Sequence, residues 1–413
     1  DHRDLHSFPT RRSSDLERVM STIRLKKLLI KRFRSFQEVI LDFDNPLFIV
    51  GQNGSGKSNL ADAFSLVSEA MTSPLQAVFD KRGGIASVRN RRAGQSHPPN
   101  MGFAFEFSST PEMKEGRYAF EISSLPNYGF KIVREQCKVS MTKGERWWFD
   151  REKKWLSNAI GLTPAVEPNA LSLPLVGGDE RFSPIYKLLS AMKSYSVQPS
   201  KLRELQEPDS GVALRSDGGN AASVLQELIR GEDGEARAIS INDLLKTIAP
   251  AIKSVSPKKH SNKMSLTFTQ EWRDGSIAFD AYNMSDGTLR SLGLILSVYQ
   301  QPSPSLLIIE EPEATIHPGA LGAILDLIRQ ASKTMQVVVT SHSPELLSAS
   351  WLKDNHIRII QWRDGVSRIQ TLSTSDREAI QKGLASAGEL IVSNRLNIGE
   401  DNIAPFVLFE PVQ

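Results

Sequence analysis

The run Gly51-Gln52-Asn53-Gly54-Ser55-Gly56-Lys57-Ser58 directly follows the apolar stretch Leu47-Phe48-Ile49-Val50. Glycines at this spacing let successive backbone N–H groups turn inward around a polyphosphate without Cβ clashes. Lys57 is spaced to reach β- and γ-phosphates, and Ser58 to offer a hydroxyl to Mg²⁺. A helix predicted from about Asn59 to Glu69 aims its positive N-terminal end at the same anion. With a strand before it and a helix after it, the run reads as a phosphate-binding loop for a nucleoside triphosphate. The competing reading is a glycine-rich turn holding a chance lysine.

A second group of reactive residues lies far along the chain. Leu306-Leu307-Ile308-Ile309 is a buried-strand pattern ending in Glu310-Glu311-Pro312-Glu313. Ligands of open α/β sheets sit beyond the carboxyl ends of strands. Acidic side chains emerging there suit an Mg²⁺ ion and a polarised water. Glu310 reads as the metal carboxylate and Glu311 as the general base, with Glu313 next in line. A further strand, Gln336 to Thr340, ends in Ser341-His342-Ser343-Pro344 and puts a histidine at the same edge. His342 could bond the γ-phosphate or the attacking water. Upstream, Met284-Ser285-Asp286-Gly287-Thr288-Leu289-Arg290 precedes an apolar helix expected over Ser291 to Tyr299. Ser285 and Gly287 there form another anion nest.

The elements that must position these groups are legible as pattern changes. Ile23 to Phe43 reads as two strands and a turn, and Phe103 to Val133 alternates repeatedly, so an antiparallel meander is expected over about 101–157. Trp147, Trp148 and Trp155 at its end read as a packed sheet face, with base stacking as the alternative. Residues 158–260 are expected to be a mostly helical insertion, with helices around Ile185–Lys193 and Ala221–Arg230. Lys258-Lys259-His260 and Lys263 read as a solvated basic loop. From 261 onward, strands and helices alternate again, as in a largely parallel sheet buried on both faces. The expected division is a leader at 1–19, a head in two parts at 20–157 and 261–395 around the insertion, and a tail at 396–413.

Composition bounds the function. The chain has 413 residues, enough for a large core, and a net charge of only +3, which does not by itself identify a polyanion partner. One cysteine, Cys137, excludes a disulfide framework and fits a reducing cytoplasm, and no apolar run approaches membrane-spanning length. A cytoplasmic location without membrane contact is therefore expected. His6 to Leu16 looks like a translated sequencing adapter, and Met20 is the expected native start.

The ordered set of P-loop, MSDGT, strand–EE and TSHS resembles ATP-binding-cassette-type ATPases, within them the RecF/SMC-like group and its stand-alone AAA-family members. The opening IKRFRSF is similar to the run this class carries there. The resemblance covers roughly residues 22–95 and 280–350. It implies an α/β P-loop NTPase of ABC/RecF type: a mixed sheet core with an antiparallel meander and a helical insertion. It implies ATP and Mg²⁺ as cofactors, with Gly51 through Asn59 as the Walker A loop and helix start. Ser285 and Gly287 become the signature loop that reaches the γ-phosphate of an opposite protomer. Glu310 stands where the family usually has the Walker B aspartate, Glu311 matches the catalytic glutamate, and His342 the switch histidine. His317 replaces the D-loop aspartate, so that role is not carried over. Gln76 and Gln95 are weak Q-loop candidates. Arg34 falls where relatives contact nucleotide, or is a surface arginine.

The resemblance therefore implies an ATP-hydrolysing head that dimerises around two nucleotides, coupled to DNA in repair or chromosome maintenance. The alternative is the ATPase of an anti-phage or toxin-like system acting through a separate effector protein. Some relatives carry a nuclease domain after the head, and the chain's end about seventy residues past His342 makes one unexpected here. Sequence-independent DNA contact would fall to Lys26, Lys27, Lys31, Arg32, Lys81, Arg82, Arg89, Arg91 and Arg92, unless these only solvate edges and loops.

Overall fold

The computed structural model describes residues 23–90, 100–108, 110, 113–127, 129–231, 233–273, 275–393, 399 and 405–411. The adapter-like leader, Arg91, Arg92 and Gln95 lie outside the described residues. The chain divides into two units: Ser21–Met192 with Lys353–Lys382 and Leu396–Gln413, and Lys193–Leu352 with Gly383–Arg395.

In the first unit, β1 (Leu25–Phe33) and β2 (Phe36–Asp42) form a hairpin whose turn holds Arg34 at φ 49°. β3 (Leu47–Val50) is wholly buried, as a strand covered on both faces must be. β4 (Met101–Phe107), β5 (Met113–Ser124), β6 (Phe130–Met141), β7 (Arg146–Arg151) and β8 (Trp155–Ser157) follow as the expected meander. β1 pairs with β4, so the meander grows into a seven-stranded antiparallel sheet in the order β2-β1-β4-β5-β6-β7-β8. Trp155 stacks on buried Phe149 at 4.7 Å and Arg181 lies over Trp147, so these two tryptophans pack against the protein itself.

The described tail crosses this sheet. In cross-strand register, Leu29, Ala104 and Ala119 share one face, and the two alanines leave a furrow. Phe406 and Leu408 fill it. A Cβ on Gly102 would lie 2.7 Å from Leu408, so glycine there belongs to the same furrow. Arg117 stacks on Phe406 at 4.8 Å and pairs with Glu410. Burial pushes the Arg117 guanidinium down from its ordinary value, and Glu410 offsets part of that. Phe406→Ala is expected to cost about 3 kcal/mol, the usual range for emptying a buried aromatic site. A urea midpoint unchanged from wild type would show the tail to be dispensable.

The second unit begins with β9 (Lys193–Tyr195), which pairs parallel with β13 (Leu306–Glu310). Between them run the helices Ala221–Leu228 and Gly234–Ile248 and a three-stranded antiparallel sheet of β10 (Ile252–His260), β11 (Lys263–Trp272) and β12 (Gly275–Asp280). β14 (Gln336–Ser341) pairs parallel with β13 on its other side, and the helix Leu321–Ala331 connects them. The chain then returns to the first unit as β15 (Ile357–Arg363), parallel to β3, and β16 (Val366–Gln370), antiparallel to β15.

Several local expectations need correction. The helix expected over Ile185–Lys193 spans Ser183–Ser190, and Lys193 starts β9 instead, a strand too short to show periodicity. Lys258, Lys259 and His260 are not a loop: they end β10, and Lys263 pairs opposite His260 across the hairpin. The P-loop helix is longer than expected, Lys57–Thr72, because its apolar face continues through Ala70 and Met71. No helix among the described residues is long and apolar enough to cross a membrane.

Candidate nucleotide site and its comparisons

In the first unit, buried β3 delivers the chain into the glycine run, and the helix starts immediately at Lys57. Gly56 caps that helix at φ 111°, a conformation open to glycine at little cost. Space imposes the same choice: a Cβ on Gly56 would lie 2.3 Å from Ser367 Oγ, and one on Gly51 2.2 Å from the Ile360 carbonyl oxygen. The loop is therefore seated against the β15–β16 hairpin. Ser367 Oγ donates to the Ser55 carbonyl at 2.6 Å and is hydrogen-bonded to the Ser35 hydroxyl at 2.7 Å, while Asn59 donates to Ser35 at 2.7 Å. Ser35 and Ser367 form a cradle that the sequence reading missed: Ser35 falls in the IKRFRSF run but was given no role there, and Ser367 lies outside every motif.

Lys57 is 6% exposed, and its ammonium donates to the carbonyls of Gly51 and Gln52 at 2.8 and 3.1 Å. These bonds fold the side chain back over its own loop. Gln52, Asn53, Gly54 and Ser58 are exposed, leaving the outer loop open. Arg34 does not stand free: its guanidinium forks onto Asp62 of the P-loop helix at 2.9 and 2.7 Å. Arg82 reaches the same carboxylate at 2.8 Å. Gln76 bonds Asp80 on its own helix.

In the second unit, register places Glu310 opposite Thr340 at the carboxyl ends of β13 and β14. The chain then turns sharply. Glu311 adopts φ 44° and Thr315 φ 66°, left-handed conformations that cost a non-glycine residue of order 1 kcal/mol or more. The Glu311 amide donates to the Thr340 carbonyl at 2.9 Å. Arg290 Nη2 donates to the carbonyls of Glu310 and Glu311 at 3.2 and 3.1 Å. Burial pushes the Arg290 guanidinium down, and the carboxylates of Glu313, Glu311 and Glu310 counter it in that order. Arg290 thus holds the strained turn by its backbone, a role not visible in the MSDGTLR string. Glu311 Oε1 lies 3.4 Å from His342 Nδ1, so base and switch candidates are neighbours at a half-open edge.

The signature segment is also resolved into parts. Its helix runs Asp286–Tyr299, beginning five residues before the expected Ser291, because Ser285 is the N-cap and accepts from the Thr288 amide at 3.2 Å. Ser285 is exposed. Arg203 donates to the Met284 carbonyl at 2.8 Å and pairs with Asp286, bracing the loop. A Cβ on Gly287 would lie 2.6 Å from the Thr315 carbonyl oxygen, so this glycine brings the helix onto the strained turn. His317 caps the short turn Pro318–Ala320 by accepting from Gly319 at 3.1 Å.

The groups present fit an Mg²⁺–nucleotide. Gly51 and Gly56 seat the loop against the hairpin, and nothing lies within 4 Å of a Cβ built on Gly54, so the outer face of the loop is open. No cluster of three His, Cys, Asp or Glu among the described residues could cage a metal alone. Mg²⁺ keeps its waters and binds through one or two protein oxygens plus phosphates. Ser58 in the first unit and Glu310 in the second each offer one such oxygen.

The expected basic surface is a correction. Lys26, Lys27 and Lys31 pair with Glu106, Asp42 and Glu38, and Lys81 pairs with Glu69. Arg32 donates to the Asn100 carbonyl. The Arg82 side chain is 8% exposed and Arg89 is 5% exposed, so neither presents charge to a polyanion. Cations interleaved with carboxylates on adjacent strands cancel at range, which the string of basic residues conceals.

The family model described as "AAA domain, putative AbiEii toxin, Type IV TA system" matches residues 47–348. The Old nuclease of Escherichia phage P2 is 21% identical over 410 residues, covering 92% of this chain and 67% of that protein. The DNA replication and repair protein RecF of Leptospira interrogans is 51% identical over 45 residues, 11% of this chain and 12% of that protein. Among solved structures, an Smc head bound to the C-terminal winged-helix domain of ScpA aligns with TM-score 0.51 and 16% identity, over 86% of this chain and 99% of that one. A Pyrococcus furiosus Smc head with an extended coiled coil, bound to the C-terminal domain of ScpA, aligns with TM-score 0.51 and 14% identity over 88% and 100%. At these identities the structures establish fold, and the fold is that of an SMC-head-like P-loop NTPase. The matched segment runs from the P-loop strand past His342, and the chain belongs to the AAA-domain ATPase family that the description of putative AbiEii toxins covers.

Proposed function

We propose that this protein is an ATP-hydrolysing head of a defence-type system, in which two copies close on two nucleotides and a separate effector protein delivers the outcome. The observation that carries the defence reading is the long match to the phage P2 Old nuclease, 92% of this chain, alongside the toxin-system description of the family. The RecF match favours chromosome maintenance as a second reading but spans only 11% of the chain. The interleaved charges described above further weaken a direct DNA role.

In the proposed chemistry, the loop amides and Lys57 bind the β- and γ-phosphates, and Ser58 and Glu310 would each offer the metal an oxygen. Bound Mg²⁺ would neutralise developing charge on the phosphate oxygens. Glu311 orients a water and accepts its proton as oxygen attacks the γ-phosphorus and the bond to the β–γ bridging oxygen breaks. ADP and phosphate are the products. His342 beside Glu311 would supply a hydrogen bond to the same water or to the γ-phosphate.

The readings separate in one measurement. Fluorescence anisotropy with a mixed-sequence duplex at about 50 mM salt, where phosphate contacts are strongest, is expected to show no ATP-dependent binding. ATP-dependent, salt-sensitive binding would instead favour the chromosome-maintenance reading.

A further inference from the structure

We propose that Glu313 is a positioning residue whose buried carboxylate clamps the Ser341-His342 turn and thereby fixes His342 beside Glu311, and that it is not a second base. This deepens the function proposed above and rests on it. Glu313 Oε1 accepts from Ser341 Oγ at 2.7 Å and from the His342 amide at 3.3 Å, and lies 3.7 Å from His342 Nδ1. One carboxylate oxygen thus gathers the last hydroxyl of β14, the amide that follows it and the imidazole.

Exposure distinguishes the two glutamates. The Glu311 side chain is 35% exposed, as a base that must meet water has to be, whereas that of Glu313 is 8% exposed. Glu313 Oε2 is buried and has no hydrogen-bond partner among the described residues. A carboxylate so placed is largely screened from solvent and is held through its other oxygen. Its own carbonyl accepts from Ile316, and the Glu311 carbonyl accepts from Ala314, so Glu313 sits inside the strained turn that carries Glu311. The half-buried Arg290 supplies the countercharge, with Glu313 the foremost carboxylate acting on it. Glu313 therefore joins the two strand ends: its backbone belongs to the turn after β13 and its side chain grips the turn after β14.

A positioning role predicts a split between amide and alanine replacements. Glu313→Gln keeps an oxygen for Ser341 and His342, so kcat is expected to stay within about fivefold of wild type, in line with the modest net worth of one hydrogen bond. Glu313→Ala removes the clamp, and kcat is expected to fall up to about 10²-fold through misplacement, with KM for ATP little changed. Hydrogen-exchange mass spectrometry of peptides covering Thr340–Ser343 should show faster exchange in Glu313→Ala than in Glu313→Gln. If Glu313→Ala does not fold, Ser341→Ala, which removes one partner from the other side, should reproduce the fall in kcat more weakly. Glu313→Gln as inactive as Glu313→Ala, with Glu311→Gln still active, would make Glu313 the base and overturn the proposal. So would wild-type turnover and exchange in Glu313→Ala. If the wild-type protein shows no turnover sensitive to Lys57→Ala, it is the ATPase reading that fails, and the exchange data still decide the clamp.

Discussion

Glu311→Gln is expected to bind ATP as tightly as wild type and to hydrolyse it at least about 10²-fold more slowly, the usual cost of losing a general base. The replacement is nearly isosteric, so the left-handed turn at φ 44° and the carbonyl contacts from Arg290 should persist. Only the proton acceptor disappears. Lys57→Ala should give the opposite pattern. It removes the ammonium that the loop folds over its own carbonyls, and nucleotide binding itself should be lost. Titration with a fluorescent ATP analogue and a phosphate-release assay separate the two variants. Wild-type turnover in Glu311→Gln would remove Glu311 from the role of base. Tight ATP binding by Lys57→Ala would show that the loop amides suffice.

Legibility from sequence followed local necessity. The Walker A run was readable because Gly51 and Gly56 have no alternative: each lies where an added Cβ would strike backbone or a hydroxyl from the β15–β16 hairpin. The meander was readable because period-2 alternation over Phe103 to Val133 is long, and β4 through β8 follow it. The strand ends that carry Glu310 and precede His342 were readable because strands of four or more apolar residues announce their own ends, and β13 and β14 stop at Glu310 and Ser341.

What escaped depends on partners distant in sequence. Ser367 supports the P-loop from 312 residues away, and Arg290 reaches the Glu311 carbonyl across 21 positions. Neither distance leaves a periodic trace. The start of the signature helix was misplaced for a different reason. Asp286 and Gly287 look like turn residues, yet a serine N-cap lets the helix begin with them. The basic surface failed because charge was counted along the chain, whereas Lys27 and Asp42, or Lys31 and Glu38, meet only across a hairpin.

The shared-site reading makes its own demand on Ser285. In the presence of ATP and Mg²⁺, Glu311→Gln is expected to be dimeric, since slowed hydrolysis traps the closed state, a ligand-driven population shift. Adding Ser285→Arg should return it to monomer. Ser285 is exposed at the start of a helix of 14 residues, and a helix N-terminal end of this kind suits an anion, here the nucleotide of a second molecule. An arginine there fills that nest and collides with the facing γ-phosphate site. The substitution also removes the cap on Thr288, at a cost of about 1 kcal/mol, so a fold control is needed. Ser285→Thr serves: it keeps the capping oxygen and should still dimerise. Light scattering coupled to size exclusion reads all the states directly. One unchanged mass for Glu311→Gln with ATP, without ATP and with Ser285→Arg would rule out nucleotide-bridged assembly while leaving ATP binding by the single chain intact.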